Sequence, residues 1–163
     1  MPDASIRPAA DADRPAVWRI LEPMLRAGET YALPRDMTRE AALAYWFSPA
    51  HQVFVATAGG DIVGTYYLKP NQQGGGDHVA NCGYVTDAAS TGRGIARRMC
   101  VHSLDVARAA GFLAMQFNFV VASNENAVHL WKNIGFAEVG RIPKAFRHPA
   151  LGFVDALTMH REL

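Results

Sequence analysis

The chain has 163 residues, half of them hydrophobic and 19% charged, with a formal net charge of +1. That length fits one domain whose core needs no staples, and the near-neutral balance speaks against a nucleic-acid or membrane surface built on bulk charge. Cys82 and Cys100 have no Cys-x-x-Cys partners and no run approaches the roughly 18 apolar residues of a membrane span, so a disulfide, a metal site and a transmembrane helix are all unexpected.

The thiols read as buried in a reducing compartment. No basic region followed by an apolar stretch opens the chain, and the expected location is cytoplasmic.

Ser5 to Arg7 predicts a short strand, and Asp11 a cap for a helix running to about Arg26, with Pro15 tolerated in the first turn. Val17, Ile20, Leu21, Met24 and Leu25 give that helix an apolar stripe suited to packing on a sheet. Gly28 to Tyr31 ends it. Thr38 opens a second helix through about Trp46, where Trp46 and Phe47 read as core rather than as a ligand wall. From Gln52 the period changes to that of a hairpin, Gln52 to Ala58 and Asp61 to Lys69 around Gly59-Gly60. Asn71 through Asp77, with three successive glycines, predicts a mobile loop. His78 to Thr86 follows as a third antiparallel strand.

A helix is expected from Ile95 to Ala110, with Ile95, Met99, Val106 and Ala110 buried and Gly111 as its stop. Ala114 to Val121 predicts a strong strand in which Met115, Phe117 and Phe119 alternate with Gln116, Asn118 and Val120. The intervening helix makes it parallel to the strand ending at Thr86. Asn124 to Ile134 reads as a short helix stopped by Gly135. Two last strands are expected near Ala137 to Arg141 and Val154 to Arg161, joined by a loop carrying Pro143, Arg147, His148 and Pro149. One mixed α/β sheet with helices on both faces accounts for all of this.

Chemistry concentrates at Thr91-Gly92-Arg93-Gly94-Ile95-Ala96, where a strand turns through glycines into a helix. Such a turn aims several unpartnered backbone N–H groups and the positive end of a helix dipole at one point, which suits phosphate. A dinucleotide fingerprint would want glycine at Arg97 and an acidic residue after the next strand, and a P-loop would want Gly-Lys-Ser/Thr; neither is present. A backbone cradle for a pyrophosphate and a plain glycine-rich turn both remain.

Tyr84-Val85-Thr86, then this glycine turn, then Asn124 to Trp131 and the closing Ile134-Gly135-Phe136 together resemble the GNAT superfamily of acyl-CoA-dependent N-acetyltransferases. The resemblance runs from Ser5 to the end and implies a single GNAT-like domain over 1–163, with a mostly antiparallel sheet and a splayed parallel pair at its centre. It implies acetyl-CoA as cofactor, its pyrophosphate held by Gly92, Arg93, Gly94, Ile95, Ala96 and Arg97, its pantetheine along Tyr84, Val85 and Thr86, with Asn124 and Trp131 beside it. The backbone N–H groups at Val85 and Thr86 would stabilise charge on the thioester oxygen.

Two positions depart from the family pattern. Thr91 replaces the usual Gln or Arg, and Trp131 replaces a tyrosine credited with protonating the departing thiolate, which an indole N–H cannot do. Trp131 is expected to pack on the coenzyme or simply in the core.

Asn81, Asn118 and Asn124 are similar to the amide set of microbial GNAT enzymes that acetylate azetidine-2-carboxylate and related proline analogues. Polar amides inside strands are costly without partners, so Asn81 and Asn118 are the candidate catalytic residues, with backbone-bonded structural amides as the other reading. Glu29, Tyr31, His78 or a relayed water are the candidates for a base, and Arg147 and His148 could meet an acceptor carboxylate. The expected reaction is direct acetyl transfer to a small-molecule amine, with no metal, nucleic acid or membrane involved and a homodimer left open. A coenzyme A-binding regulatory module without turnover and a protein or peptide acetyltransferase are the rival readings.

Overall fold

The computed structural model describes residues 4–163. Seven strands form one sheet: β1 (Ser5–Pro8), β2 (Gln52–Ala58), β3 (Asp61–Pro70), β4 (Val79–Thr86), β5 (Ala114–Val121), β6 (Ala137–His148) and β7 (Gly152–Glu162), in the order β1-β2-β3-β4-β5-β7-β6. Every neighbouring pair is antiparallel except β4 and β5. Helices α1 (Arg14–Ala27) and α2 (Arg39–Trp46) cover one face, and α3 (Ile95–Ala109) and α4 (Glu125–Ile134) the other. No helix among the described residues is long and apolar enough to cross a membrane.

Each face has its own core. Under α1 and α2 lie Val17, Ile20, Leu21, Leu25, Trp46, Val55, Tyr67 and Val85. Under α3 and α4 lie Phe54, Tyr66, Cys82, Met99, Leu104, Met115, Phe117 and Trp131. The period-2 geometry of β4 splits its side chains between them: Asn81, Gly83 and Val85 turn to the first face, and Ala80, Cys82 and Tyr84 to the second. Both cysteines are buried as expected, and burial pushes each thiol up to about 12, so neither is a nucleophile at neutral pH.

Several expectations change on contact with tertiary packing. Asp11 does not cap α1: residues Asp11–Asp13 form a 3-10 turn, and Asp13, at the N-cap position of α1, turns its carboxylate back to accept from the Ala10 N–H and from Arg7 instead of capping the helix. On α3 the buried face is Ile95, Met99, Cys100, Ser103, Leu104 and Ala107; Val106 is half-buried and Ala110 exposed, because the helix is rotated about its axis relative to the expected stripe. The alternation along β5 breaks after Phe117. Its pairing with β7 slips between Phe117 and Val120, three steps opposing two, so Val120 turns inward and Phe119 is 37% exposed. The last two strands are much longer than expected. Pro143 does not end β6 because it sits in a bulge of an edge strand, where no ladder bond is required of it. Asp155 holds that bulge by accepting from the Lys144 N–H and from Arg141, each at 3.0 Å. The glycine-rich segment after β3 contains one 3-10 turn, Gly74–Gly76.

Candidate functional site

β4 and β5 pair at only two positions, Val79 with Ala114 and Ala80 with Met115. Beyond them the strands splay toward their C-terminal ends, and β4 keeps its full ladder only with β3. The backbone groups of Tyr84 and Thr86, which face the β5 side, are thereby released from sheet pairing, whereas those of Gly83 and Val85 face β3; this opens a cleft where a linear amide-bearing ligand could pair in place of a strand.

At the C-terminal end of β4 the chain turns through Ala88–Ser90 and reaches the glycines. Gly92 and Gly94 adopt φ of +79° and +75°, a left-handed conformation that costs other residues energy. A side chain placed at either would meet nothing within 4 Å, so the turn is open to an approaching group. Gly94 caps the 15-residue α3 without supplying a side chain, which leaves the first-turn N–H groups of Ile95, Ala96 and Arg97 aimed outward. Ile95 itself is buried and anchors the turn, whereas Arg93 and Arg97 are exposed. Asp87 stiffens the approach: it accepts from the Ala89 N–H and pairs with Arg19 of α1 at 2.8 Å, and Arg19 also donates to the Ile62 carbonyl. That guanidinium holds the Asp87 carboxyl below the usual range.

On the far side of the splay, Asn124 caps α4 by accepting from the Ala127 N–H. The preceding residue, Ser123, carries a buried hydroxyl with no hydrogen-bond partner. A buried hydroxyl without a protein partner at the C-terminal end of β5 can meet a ligand or a water. The cradle and the orphan together fit a phosphate-bearing group whose linear arm lies in the splay. Trp131 belongs to an aromatic cluster with Tyr84 and Phe117, both at 5.2 Å, and with Phe136, and is 8% exposed. Tyr84 in turn has its hydroxyl 2.7 Å from Ser103 on α3.

The α1–α2 face of the splay is polar. Asn81 is 8% exposed and its Nδ2 donates to the Gln116 carbonyl at 2.9 Å, bridging the strands just where their ladder stops. Asn118 is exposed at the mouth, its Oδ1 accepting from Gln116 and its Nδ2 donating to Asn71. Tyr31 donates to the Tyr84 carbonyl at 3.1 Å, and burial raises its pKa far above neutral, which removes it as a base. Glu29 and His78 are exposed. Arg147 lies over Phe153, and His148 Nδ1 accepts from Ala150 and Leu151 to close the β6–β7 turn, so both have structural work there.

Sequence reasoning missed His51. Its ring stacks on Tyr67, centroids 4.0 Å apart, with Nδ1 3.0 Å from the Trp46 carbonyl. A carbonyl only accepts, so the neutral ring carries its proton on Nδ1 and offers a lone pair at Nε2. Burial holds its pKa below the ordinary value, against the raising effect of the Trp46 carbonyl. A lone histidine between a helix and a strand has no local signal; only the fold brings it to the aromatic wall of Tyr45, Trp46 and Tyr67.

Comparison with known proteins agrees with this geometry. A family model described as the acetyltransferase (GNAT) family matches residues 15–136. The N-acetyltransferase aca1 of Schizosaccharomyces pombe is 31% identical over 151 residues, covering 81% of this chain and 71% of that protein. Among solved structures, a GCN5-related N-acetyltransferase from Kribbella flavida superposes with a TM-score of 0.94 at 40% identity, covering 98% of each chain. The acetyltransferase yncA from Salmonella typhimurium, solved with acetyl-CoA, shares the fold at 20% identity, with a TM-score of 0.85 over 99% of this chain and 94% of its own.

Proposed function

The chain belongs to the GNAT family of acetyltransferases, enzymes that draw on acetyl-CoA, and from that premise we propose that it acts as one domain to acetylate the amine of a small molecule by direct attack in a ternary complex. The observation that carries this reading is the splay of β4 from β5, which opens between a glycine-turn anion cradle on one side and a face of amides and tyrosines on the other. Acetyl-CoA supplies an activated acyl group; the chain supplies position and charge.

Backbone N–H groups of Gly92 to Arg97, with Arg93 and Arg97 beside them, would hold the pyrophosphate. The backbone of Tyr84 to Thr86 and the Ser123 hydroxyl would hold the pantetheine arm, with Asn124 at its flank. The Thr86 N–H, on the β5 side of β4, would face the carbonyl oxygen where charge grows, whereas the Val85 N–H expected to share that task is turned to β3. Asn81 and Asn118 would orient the acceptor, a contribution of alignment rather than proton transfer. The neutral His51 imidazole is the base available on that face, directly or through water. Trp131 offers no acid, so the thiolate takes its proton from water.

Thermal unfolding with and without acetyl-CoA, followed by thiol release over an amine panel that begins with azetidine-2-carboxylate and proline analogues, tests this. Ligand at about a hundred times its Kd should stabilise the native state by roughly 2.7 kcal/mol. Binding with thiol release to a small amine supports the proposal. Binding without release across the panel favours a coenzyme-sensing module, the reading motivated by Trp131, and release only with peptides moves the acceptor to proteins.

A further inference from the structure

Asn71 is the first residue after β3, and its backbone N–H donates to the Val79 carbonyl at 2.7 Å, which fixes the chain there without help from the side chain. The side chain does something else. Asn118 Nδ2 donates to Asn71 Oδ1 at 2.6 Å, and Gln116 Nε2 donates to Asn118 Oδ1 at 3.0 Å. An amide has a donor end and an acceptor end of nearly the same shape, so a lone asparagine in a wet cleft can turn over and present either. At Asn118 the two neighbours, themselves amides, fix its direction relative to theirs: with Gln116 donating to its oxygen, its nitrogen donates to Asn71. What is left for an acceptor is one N–H and one oxygen lone pair.

We propose that Asn71 is a positioning residue for acetyl transfer, its Oδ1 holding the Asn118 amide in the one orientation that meets the acceptor. This rests on the reading of Asn118 as an acceptor contact. Because Asn118 is exposed, solvent competes for the Asn71–Asn118 bond and the bond contributes little to stability. Its value lies in orientation, where small misplacements cost large factors in rate.

The experiment compares Asn71→Leu, Asn71→Asp, Asn118→Ala and the Leu/Ala double variant in the full chain, with azetidine-2-carboxylate as probe acceptor. Aspartate has the shape of asparagine and only accepts, so it should keep kcat within about threefold, whereas leucine should lower it by roughly 10- to 30-fold, with acetyl-CoA affinity by calorimetry and Tm unchanged. The double variant should fall no further than Asn118→Ala alone. In amide NMR spectra of the free protein, the Asn118 side-chain pair, identified by its loss in Asn118→Ala, should shift in Asn71→Leu and persist in Asn71→Asp; this readout needs no acceptor.

An unmoved Asn118 signal in Asn71→Leu, or full kcat there while Asn118→Ala loses it, overturns the inference and leaves the role of Asn118 standing. Equal losses in the Asp and Leu variants overturn the assigned direction of the amide pair. Full kcat in Asn118→Ala removes the reading on which the inference rests.

Discussion

The two edges of β4 are held in opposite ways. Against β3 it forms an unbroken ladder of seven register pairs, from Gly64 opposite Thr86 to Pro70 opposite Ala80. Against β5 it forms two pairs and then lets go. Around the closed edge, buried polar atoms are paired within the core: Trp46 Nε1 donates to Thr65 Oγ1, which donates to the Phe54 carbonyl, and the Tyr66 hydroxyl meets His102 on α3. The open edge is bridged by side-chain amides instead of backbone, and it keeps unspent capacity at Asn81, Asn118 and Ser123. Stability is invested on one side of a single strand and chemistry on the other. Substitutions on the two sides should therefore fail differently.

The largest expected effect is at Gly83, on the cleft face of β4. A Cβ there would lie 2.7 Å from Tyr67 Cε1 and 2.9 Å from the Tyr31 hydroxyl, so Gly83→Val must push aside the aromatic wall beside the splay. Turnover should fall by about 100-fold, near 2.7 kcal/mol in the barrier. Steady-state kinetics alongside calorimetry check it: intact kcat/KM would show that the wall does not shape the acceptor site.

Next comes the closed edge. Thr65→Val strands the buried indole N–H of Trp46 and should cost about 2 kcal/mol in urea unfolding while sparing kcat. A loss of turnover at unchanged stability would reverse the comparison.

The smallest effect is pH-dependent. Burial depresses the pKa of His51 and of His102, whose Nδ1 lies 2.7 Å from the Tyr66 hydroxyl. Above about pH 6.5 the rings are neutral in both folded and unfolded chains. As pH falls below that value the unfolded chain binds protons that the folded chain resists, so stability is lost on the acid side until the folded values are passed. Melting temperature should begin to fall near pH 6.5, before the carboxylates Asp13 and Asp87 titrate, and His102→Gln should flatten part of the slope. A level melting curve from pH 7.5 to 5.5 would exclude both histidines.

Much of this was legible in the chain. The helices over Thr38 to Trp46 and Asn124 to Ile134 carry their own caps, and Thr38 and Asn124 cap as their local chemistry dictates. Gly92 and Gly94 announce a left-handed turn before α3, since other residues adopt that conformation only at a cost. Asn81 stands out as a buried amide in a strand. Less was legible where partners are distant in sequence. Nothing around Phe119 signals the slip against β7 that turns it outward, and nothing near Pro143 says that its strand lies at the sheet edge.

The sequence by itself determined the element order, the glycine turn and the family pattern, because caps, turns and periodicities are written in residues a few positions apart. Only the tertiary structure decided that Asn118 meets Asn71 across 47 positions, that His51 stacks on Tyr67, and that Trp131 closes an aromatic cluster. Those contacts depend on register and on how far two strands diverge, quantities set by the packing of the whole sheet rather than by any stretch of it.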